Sequence, residues 1–206
     1  MRLILSLFAL LALAIAPAMA TDEPPHRVIE QVGNIQIRQY EPMIVAEVVV
    51  TGDQTSASNR GFRPLANYIF GDNAPREEIA MTAPVTARPS EGQEIAMTAP
   101  VTAAESGEGR WTVAFVMPDS WSMETLPAPN DPNVTLRQVE ARQVVAIEFN
   151  GGRNARWFAQ QEAELMAFLE ARGLTATSAP TYAYYSPPWV PTAFRRNEIW
   201  VEVEST

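Results

Sequence analysis

The side chains able to do chemistry in this chain are few in kind. All 15 basic residues are arginines; the 206 residues include no lysine, no cysteine and one histidine, His26. Without lysine there is no Schiff base, pyridoxal anchor or Walker-type phosphate grip. Without cysteine there is no thiolate nucleophile, iron–sulfur cluster or Cys-based zinc site. One imidazole cannot build a His-rich metal centre. Ser-His-Asp chemistry goes too if His26 lies outside the fold. Carboxylates, phenols and guanidinium groups remain. Glu77 and Glu78 do not make a catalytic pair, because neighbours on a strand face opposite ways. The net charge of −9 argues against nucleic acid, whose phosphates call for clustered positive charge.

Stepping along the chain, Arg2 and the apolar run Leu3–Ile15 lead to Pro17-Ala18-Met19-Ala20. This is the pattern of a cleaved export signal, with the cut after Ala20. The run is shorter than the roughly 20 residues a spanning helix needs. The expectation is therefore a periplasmic or secreted protein with no membrane span in the mature chain. Residues 21–27 form a polar, Pro-bearing leader that holds His26, and such leaders are mobile.

The remaining chain, 28–206, reads as one domain with 47% hydrophobic residues in the sequence to supply its core. Asn34–Tyr40 and Met43–Thr51 have strand character. Thr51–Ser58 reads as a turn. Phe62, Leu65, Ala66 and Ile69 recur at helical spacing. Pro64 fits the first turn of a helix that begins near Arg60 or Gly61, and Gly71 would cap its end. Trp111–Met117 is a strand. The proline-rich stretch 118–133 is the expected joint between halves. Beyond it, Val134–Val139 and Gln143–Phe149 read as strands, Asn154–Arg172 as a helix closed by Gly173, and Tyr182–Tyr185 and Glu198–Val203 as strands. The same outline of two strands, a helix and two strands thus occurs twice, at about 28–117 and 134–204. It predicts two pseudo-equivalent halves sharing one sheet or open barrel.

One segment is duplicated. Glu78–Ala87 (EIAMTAPVTA) recurs unchanged at Glu94–Ala103, an offset of 16 residues. Alternating Ile, Met, Ala and Val, with turn residues 88–93 between the copies, predict two strands folded back on each other. The proline in each copy confines it to an edge or a bulge.

Four features, taken together and in order, resemble the SOUL haem-binding protein family, in particular its exported bacterial members. They are the helix end Leu65–Gly71, the doubled IAMTAPVT, the loop Tyr185-Ser186-Pro187-Pro188-Trp189, and Arg195-Arg196-Asn197-Glu198-Ile199-Trp200. The likeness spans about residues 28–203. It implies an α+β fold: a distorted antiparallel β-barrel with two flanking helices and a tandem pseudo-twofold repeat, akin to gyrase-inhibitor-type effector-binding domains. It also implies haem or another tetrapyrrole as ligand, with no structural metal. The corresponding site would be the apolar helix face of Phe62, Leu65, Ala66 and Ile69, with Arg60 or Arg63 pairing the propionates. Tyr185 and Trp189 would form a lid, and Arg195 and Arg196 a second contact for an anionic group. Iron accepts Met or Tyr as well as His, which brings in Met81, Met97 and Tyr68. The consistent expectation is haem held by apolar contact and arginine rather than by a strong protein ligand.

Each of these features also has a structural role open to it. The helix stripe is equally the face of a helix packed on a core, and the arginines can order a loop through ion pairs. Two other functions remain open from the sequence. One is an enzyme acting on a small molecule, hydrolase-like: the resemblance to effector-binding folds implies a pocket with aromatic walls and an acidic residue, in which Glu148 or Glu198, raised in pKa by burial and with Tyr185 nearby, would act as acid or base. The other is a protein-interaction module using the first-helix face or the doubled segment.

Overall fold

Alternation of apolar and polar residues builds the strands, and polar side chains start both helices. The computed structural model describes residues 23–75, 92–187 and 189–204. In chain order the elements are β1 (His26–Val32), β2 (Ile35–Tyr40), β3 (Met43–Thr51), α1 (Gln54–Ile69), β4 (Asn73–Ala74), β5 (Val101–Gly107), β6 (Arg110–Val116), β7 (Ala128–Pro129), β8 (Thr135–Val139), β9 (Arg142–Asn150), α2 (Ala155–Arg172), β10 (Thr181–Tyr184) and β11 (Arg196–Val203). A 3-10 turn at Thr192–Phe194 precedes β11.

Nine strands form one sheet in the order β1-β2-β9-β11-β10-β5-β6-β3-β8, and β4 pairs with β7 apart from it. Exchange β2 with β8, β3 with β9, β5 with β10 and β6 with β11, and the order of these eight strands simply reverses. The pseudo-twofold repeat is thus written into the topology, with its axis between β5 and β10. Each half lends a strand to the other: β2 pairs with β9, and β8 with β3. The sheet is a curled antiparallel half-barrel, and the fold is α+β as the resemblance implies.

Both helices pack on one face of this sheet. Ala57, Leu65, Tyr68 and Ile69 of α1 and Phe158, Leu165 and Leu169 of α2 enter one core with Val113, Phe115, Ile147 and Ile199. At Gly61 the helix lies so close to the sheet that a Cβ would fall 2.5 Å from Val113 Cβ. α2 closes as predicted on Gly173, whose φ of 65° is left-handed.

Several expectations are corrected. Asp53 accepts hydrogen bonds from the backbone N–H groups of Thr55 and Ser56, both at 3.0 Å, and from the Ser56 hydroxyl at 2.6 Å. This cap starts α1 at Gln54, so the turn expected over 51–58 is largely the first part of a helix. Pro64 therefore lies well inside α1, where it has no N–H to give. At its other end Gly71 closes α1 as expected: it follows Phe70 with a φ of 105°, its N–H donates to the Tyr68 carbonyl at 3.4 Å, and the Asp72 N–H donates to the Asn67 carbonyl at 2.9 Å. The leader is shorter than expected: β1 begins at His26, whose ring stands 4.9 Å from that of Tyr40. The stretch 118–133 does lie between the two halves, and it is pinned to the fold. Leu126 is fully buried, Pro127 accepts a hydrogen bond from Tyr68 at 3.0 Å, and β7 pairs with β4.

The first copy of the duplicated segment lies outside the described residues, as do Glu77 and Glu78. The second copy is a strand only from Val101, and that strand is bonded on one side to β6 and on the other to β10. Both its edges are taken by these partners, and the hairpin expected between the two copies lies in part outside the described residues.

Gly61→Ala is expected to lower stability by about 1–3 kcal/mol, the usual effect of an overpacked contact. Urea unfolding measures it, as a lower midpoint at unchanged slope. An unchanged midpoint would mean that α1 stands off the sheet more than the backbone positions indicate.

Candidate functional site: the sheet face opposite the helices

A strand sends alternate side chains to opposite faces. On the face away from the helices, Arg38 lies opposite Val144, Ala146 opposite Trp200, and Glu198 opposite Ala183. Tyr40, Met43, Val45, Ala114, Val116, Val139, Val144, Ala146, Ala183 and Trp200 form the apolar floor of this face.

A buried ion pair is set into that floor. Arg38 is 2% exposed and Glu198 0%. Arg38 Nη1 donates to Glu198 Oε2 at 2.7 Å, and Nη2 donates to Oε1 at 2.9 Å. Oε2 also accepts from the Tyr185 hydroxyl at 2.7 Å, and Oε1 from Arg196 Nη2 at 2.8 Å. The carboxylate's four lone-pair positions are thereby filled. Arg196 lies 3.9 Å above the Tyr185 ring and pairs further with Glu23 at 2.5 Å and Glu148 at 2.9 Å. Arg38 also donates to Gln36 at 2.7 Å and to the Tyr40 hydroxyl at 3.3 Å.

These contacts set the protonation states. Burial by itself would raise the Glu198 carboxyl, but the hydrogen bonds and charge of Arg38, with Tyr185 and Arg196, hold it below its ordinary value. Burial, then the Glu198 charge, pushes the Tyr185 phenol up. Glu198 is thus an ionised anchor and not the raised-pKa acid expected from the sequence. Glu148 is partly exposed and paired with Arg196. Neither carboxylate lines the hollow beside them.

That hollow is a groove of about 320 Å³. Its lining comes from eight strands, among them Tyr40, Met43, Val45, Val116, Val139 and Trp200. Eight strands can surround so small a space only because the sheet curls toward this face. Two ion pairs sit at its margin, Arg142 with Glu202 and Arg137 with Glu47, each at 2.9 Å. Among the described residues the Nε–H groups of Arg142 and Arg196 are buried and make no well-aligned hydrogen bond, although Arg196 Nε lies 2.9 Å from Glu148. A buried, unpaired donor of this kind costs about 1–3 kcal/mol. A second hollow of about 370 Å³, lined in part by Met117, Trp121 and Met123, shares Met43 with the groove.

The ten residues singled out from the sequence do not form one site. Leu65, Ala66 and Ile69 are buried under α1, turned to the sheet. Phe62, 39% exposed, meets Phe115 edge-on at 5.3 Å. Arg60 is exposed and donates to the Thr51 carbonyl at 2.9 Å, and Arg63 is exposed. Tyr185 and Arg196 belong to the Glu198 cluster on the opposite face. Arg195 donates to the Val190 carbonyl at 2.9 Å, and Trp189 is 82% exposed. The groove residues Tyr40, Trp200 and Arg142 were missed. Their only sequence signal is polar or aromatic residues at alternate positions, as in Arg38-Gln39-Tyr40 and Glu198-Ile199-Trp200.

The comparison with known families decides the chain's kinship. The SOUL heme-binding protein family matches residues 21–202. This chain belongs to the SOUL haem-binding family. Among curated relatives, "Heme-binding protein 2" of Homo sapiens is 28% identical over 192 residues, covering 90% of this chain and 88% of the relative. "Heme-binding protein 1" of Bos taurus is 30% identical over 159 residues, covering 76% of each. Among solved structures, the EcmrR C-terminal domain has a TM-score of 0.60 at 16% identity, covering 84% of this chain and 98% of that one. That likeness is one of fold.

Glu198→Gln is expected to destabilise the fold by about 3–5 kcal/mol, because it leaves the Arg38 charge buried without its counter-ion. The pH dependence follows from the lowered carboxyl. The Glu198 contribution is complete above its ordinary value of 4.5 and is lost as pH falls through the depressed folded value. Denaturant unfolding at pH 7 and at stepwise lower pH checks both. Wild type should lose stability below the ordinary carboxylate range by more than the Gln variant does.

Proposed function

We propose that this chain is an exported protein that binds haem non-covalently and carries or buffers it. The observation that supports this most is the span of the SOUL match, residues 21–202, which takes in almost every element of the fold. The curated relatives named for haem binding cover up to nine-tenths of the chain. Kinship alone is a weak warrant for function, so the residues must also suit the ligand.

They do suit it, in a particular way. The groove offers Tyr40, Trp200 and Val side chains for a flat apolar ring, and Arg137 and Arg142, paired with Glu47 and Glu202, stand beside it as the groups that a propionate would share. Haem brings its own iron, and His, Met or Tyr are common protein ligands to it. His26 does not line the groove; its ring stands against Tyr40 and its Nδ1 lies 3.0 Å from the Pro24 carbonyl. Apolar burial and charge-assisted hydrogen bonds to the propionates are the main sources of affinity in this reading.

The test is titration of the mature protein with haem, followed at the Soret band. Saturable one-to-one binding at micromolar haem is expected; its absence would falsify the reading. The His26→Ala variant should keep the Soret position and bind within about threefold of wild type, a difference well under 1.4 kcal/mol. A displaced band in that variant would make His26 a ligand.

Export rests on the charged start, apolar run and small-residue exit of residues 1–20. Among the described residues no helix is long and apolar enough to cross a membrane. Expression of the full chain in a bacterial host, with mass measurement of the envelope fraction, should give a mature chain starting at Thr21. A product retaining residues 1–20 in the cytoplasm would overturn the export reading.

A further inference from the structure

The loop between β10 and β11, residues 185–195, carries the two most exposed large apolar side chains of the described residues, Trp189 at 82% and Phe194 at 74%. Neither lines the groove. Single apolar residues on a surface are ordinary; two such rings on one braced loop are not. The loop is held by its own backbone. The Val190 N–H donates to the Pro187 carbonyl at 3.1 Å, the Phe194 N–H to the Pro191 carbonyl at 2.9 Å, and Arg195 Nε to the Val190 carbonyl at 2.9 Å. Its base is tied to the turn between β9 and α2. The Gly151 N–H donates to the Arg195 carbonyl at 3.0 Å, and Asn197 Nδ2 to the Gly151 carbonyl at 2.9 Å. Gly152 lies so near that a Cβ there would stand 2.6 Å from Thr192 Cγ2. The same turn leads into the first turn of α2, where Arg156 and Trp157 are exposed. Two segments thus bring aromatic rings to one end of the molecule.

The charge at this end runs against that of the chain. Residues 149–161 and 181–197 contain Arg153, Arg156, Arg195 and Arg196 and no Asp or Glu, in a sequence with 24 acidic residues against 15 arginines. Arg196 is spent on Glu23, Glu148 and Glu198. Arg153 is exposed, donates to the Asn59 side chain at 3.1 Å and lies 4.1 Å from the centre of the Tyr184 ring. α2 adds the positive end of its dipole, capped by the neutral Asn154 with no acid in its first turn. Aromatic rings and arginines together suit a lipid interface, where the rings sit at headgroup level and the cations meet phosphate. A protruding loop suits it better than it suits a protein. Two rings bury about 150–250 Å² each, short of the roughly 800 Å² per partner of a stable protein interface. We propose that this end of the chain docks on an anionic phospholipid surface, with Trp189 and Phe194 entering the headgroup layer and Arg153 and Arg156 meeting the phosphates. None of the four lines the groove, so the docking does not depend on the haem reading.

The experiment is co-sedimentation of the mature protein with vesicles of phosphatidylglycerol and phosphatidylcholine in equal parts, and with vesicles of phosphatidylcholine alone. Wild type is expected to bind the anionic vesicles roughly tenfold more tightly than the neutral ones. That difference should vanish at about 1 M salt, where charges are screened within about 3 Å. The double variant Trp189→Ser, Phe194→Ser, with folding checked by circular dichroism, should lose about tenfold or more on the anionic vesicles. Arg156→Gln should weaken them about fivefold and leave the neutral vesicles unchanged. Phe70→Ser removes an exposed ring at the other end of α1, and it should leave binding within about twofold, since general stickiness is not what is measured. Absence of binding to anionic vesicles, equal binding to both kinds, or binding that survives the double substitution overturns the proposal. A wild type that ignores vesicles but self-associates, and stops doing so in the double variant, gives the loop to a second copy of the chain and overturns it equally.

Discussion

The Arg38–Glu198 pair is the contact on which the rest of this face depends. Its partners are 160 residues apart in sequence, and in the sheet they reach across β9 to join β2 to β11. Two full charges in a place with almost no solvent are tolerable only when nearly every lone pair and N–H is used. Here all four carboxylate positions and four of the five guanidinium N–H groups are used, by Tyr185, Arg196, Gln36 and Tyr40 as well as by each other. The pair also fixes register. A slip of one residue in β2 or β11 would turn a charged group into the helix-side core and its partner into nothing. Tyr40 and Trp200, two residues along the same strands, take their places in the groove from that register.

The two faces of the sheet thus do different work. The helix side is a conventional apolar core, and the amphipathic stripe of α1 is spent there. The other side carries fewer apolar residues and nearly all the buried charge of the described residues. Buried charge is costly where packing is the only aim, so its concentration on one face is itself a reason to place the binding chemistry there.

Much of the fold was legible in the sequence because it is local. Alternation located the strands, helical spacing located both helices, and Gly173 ended α2 where a left-handed cap belongs. The recurring outline of the two halves anticipated the symmetric strand order. The start of α1 was not legible, because Thr, Asp, Gln and Ser suit a turn as well as a helix cap. Position 53 was settled by where the Asp side chain folds back. The site was legible only in fragments. Tyr185, Arg196 and Glu198 were seen as chemically able, but whether a buried glutamate is bare or paired depends on Arg38 at the other end of the chain. The groove draws its lining from eight strands, and no spacing rule reaches across a sheet. The stripe Leu65, Ala66 and Ile69 satisfied the helical pattern for a simpler reason: it is core.

The exchanged strands have a consequence for how this chain holds together. Since β2 completes the second half and β8 completes the first, neither half has an intact sheet of its own. The proline-rich stretch between them has the composition of a linker, yet cutting there would leave two pieces each missing an edge. The arrangement is that of a domain swap sealed inside one polypeptide, such as a duplicated unit reaches when two copies that once traded strands become one chain. Its folding must wait for segments distant in sequence to meet, which makes assembly slow for its size. In return, no single half can be lost, moved or inherited alone.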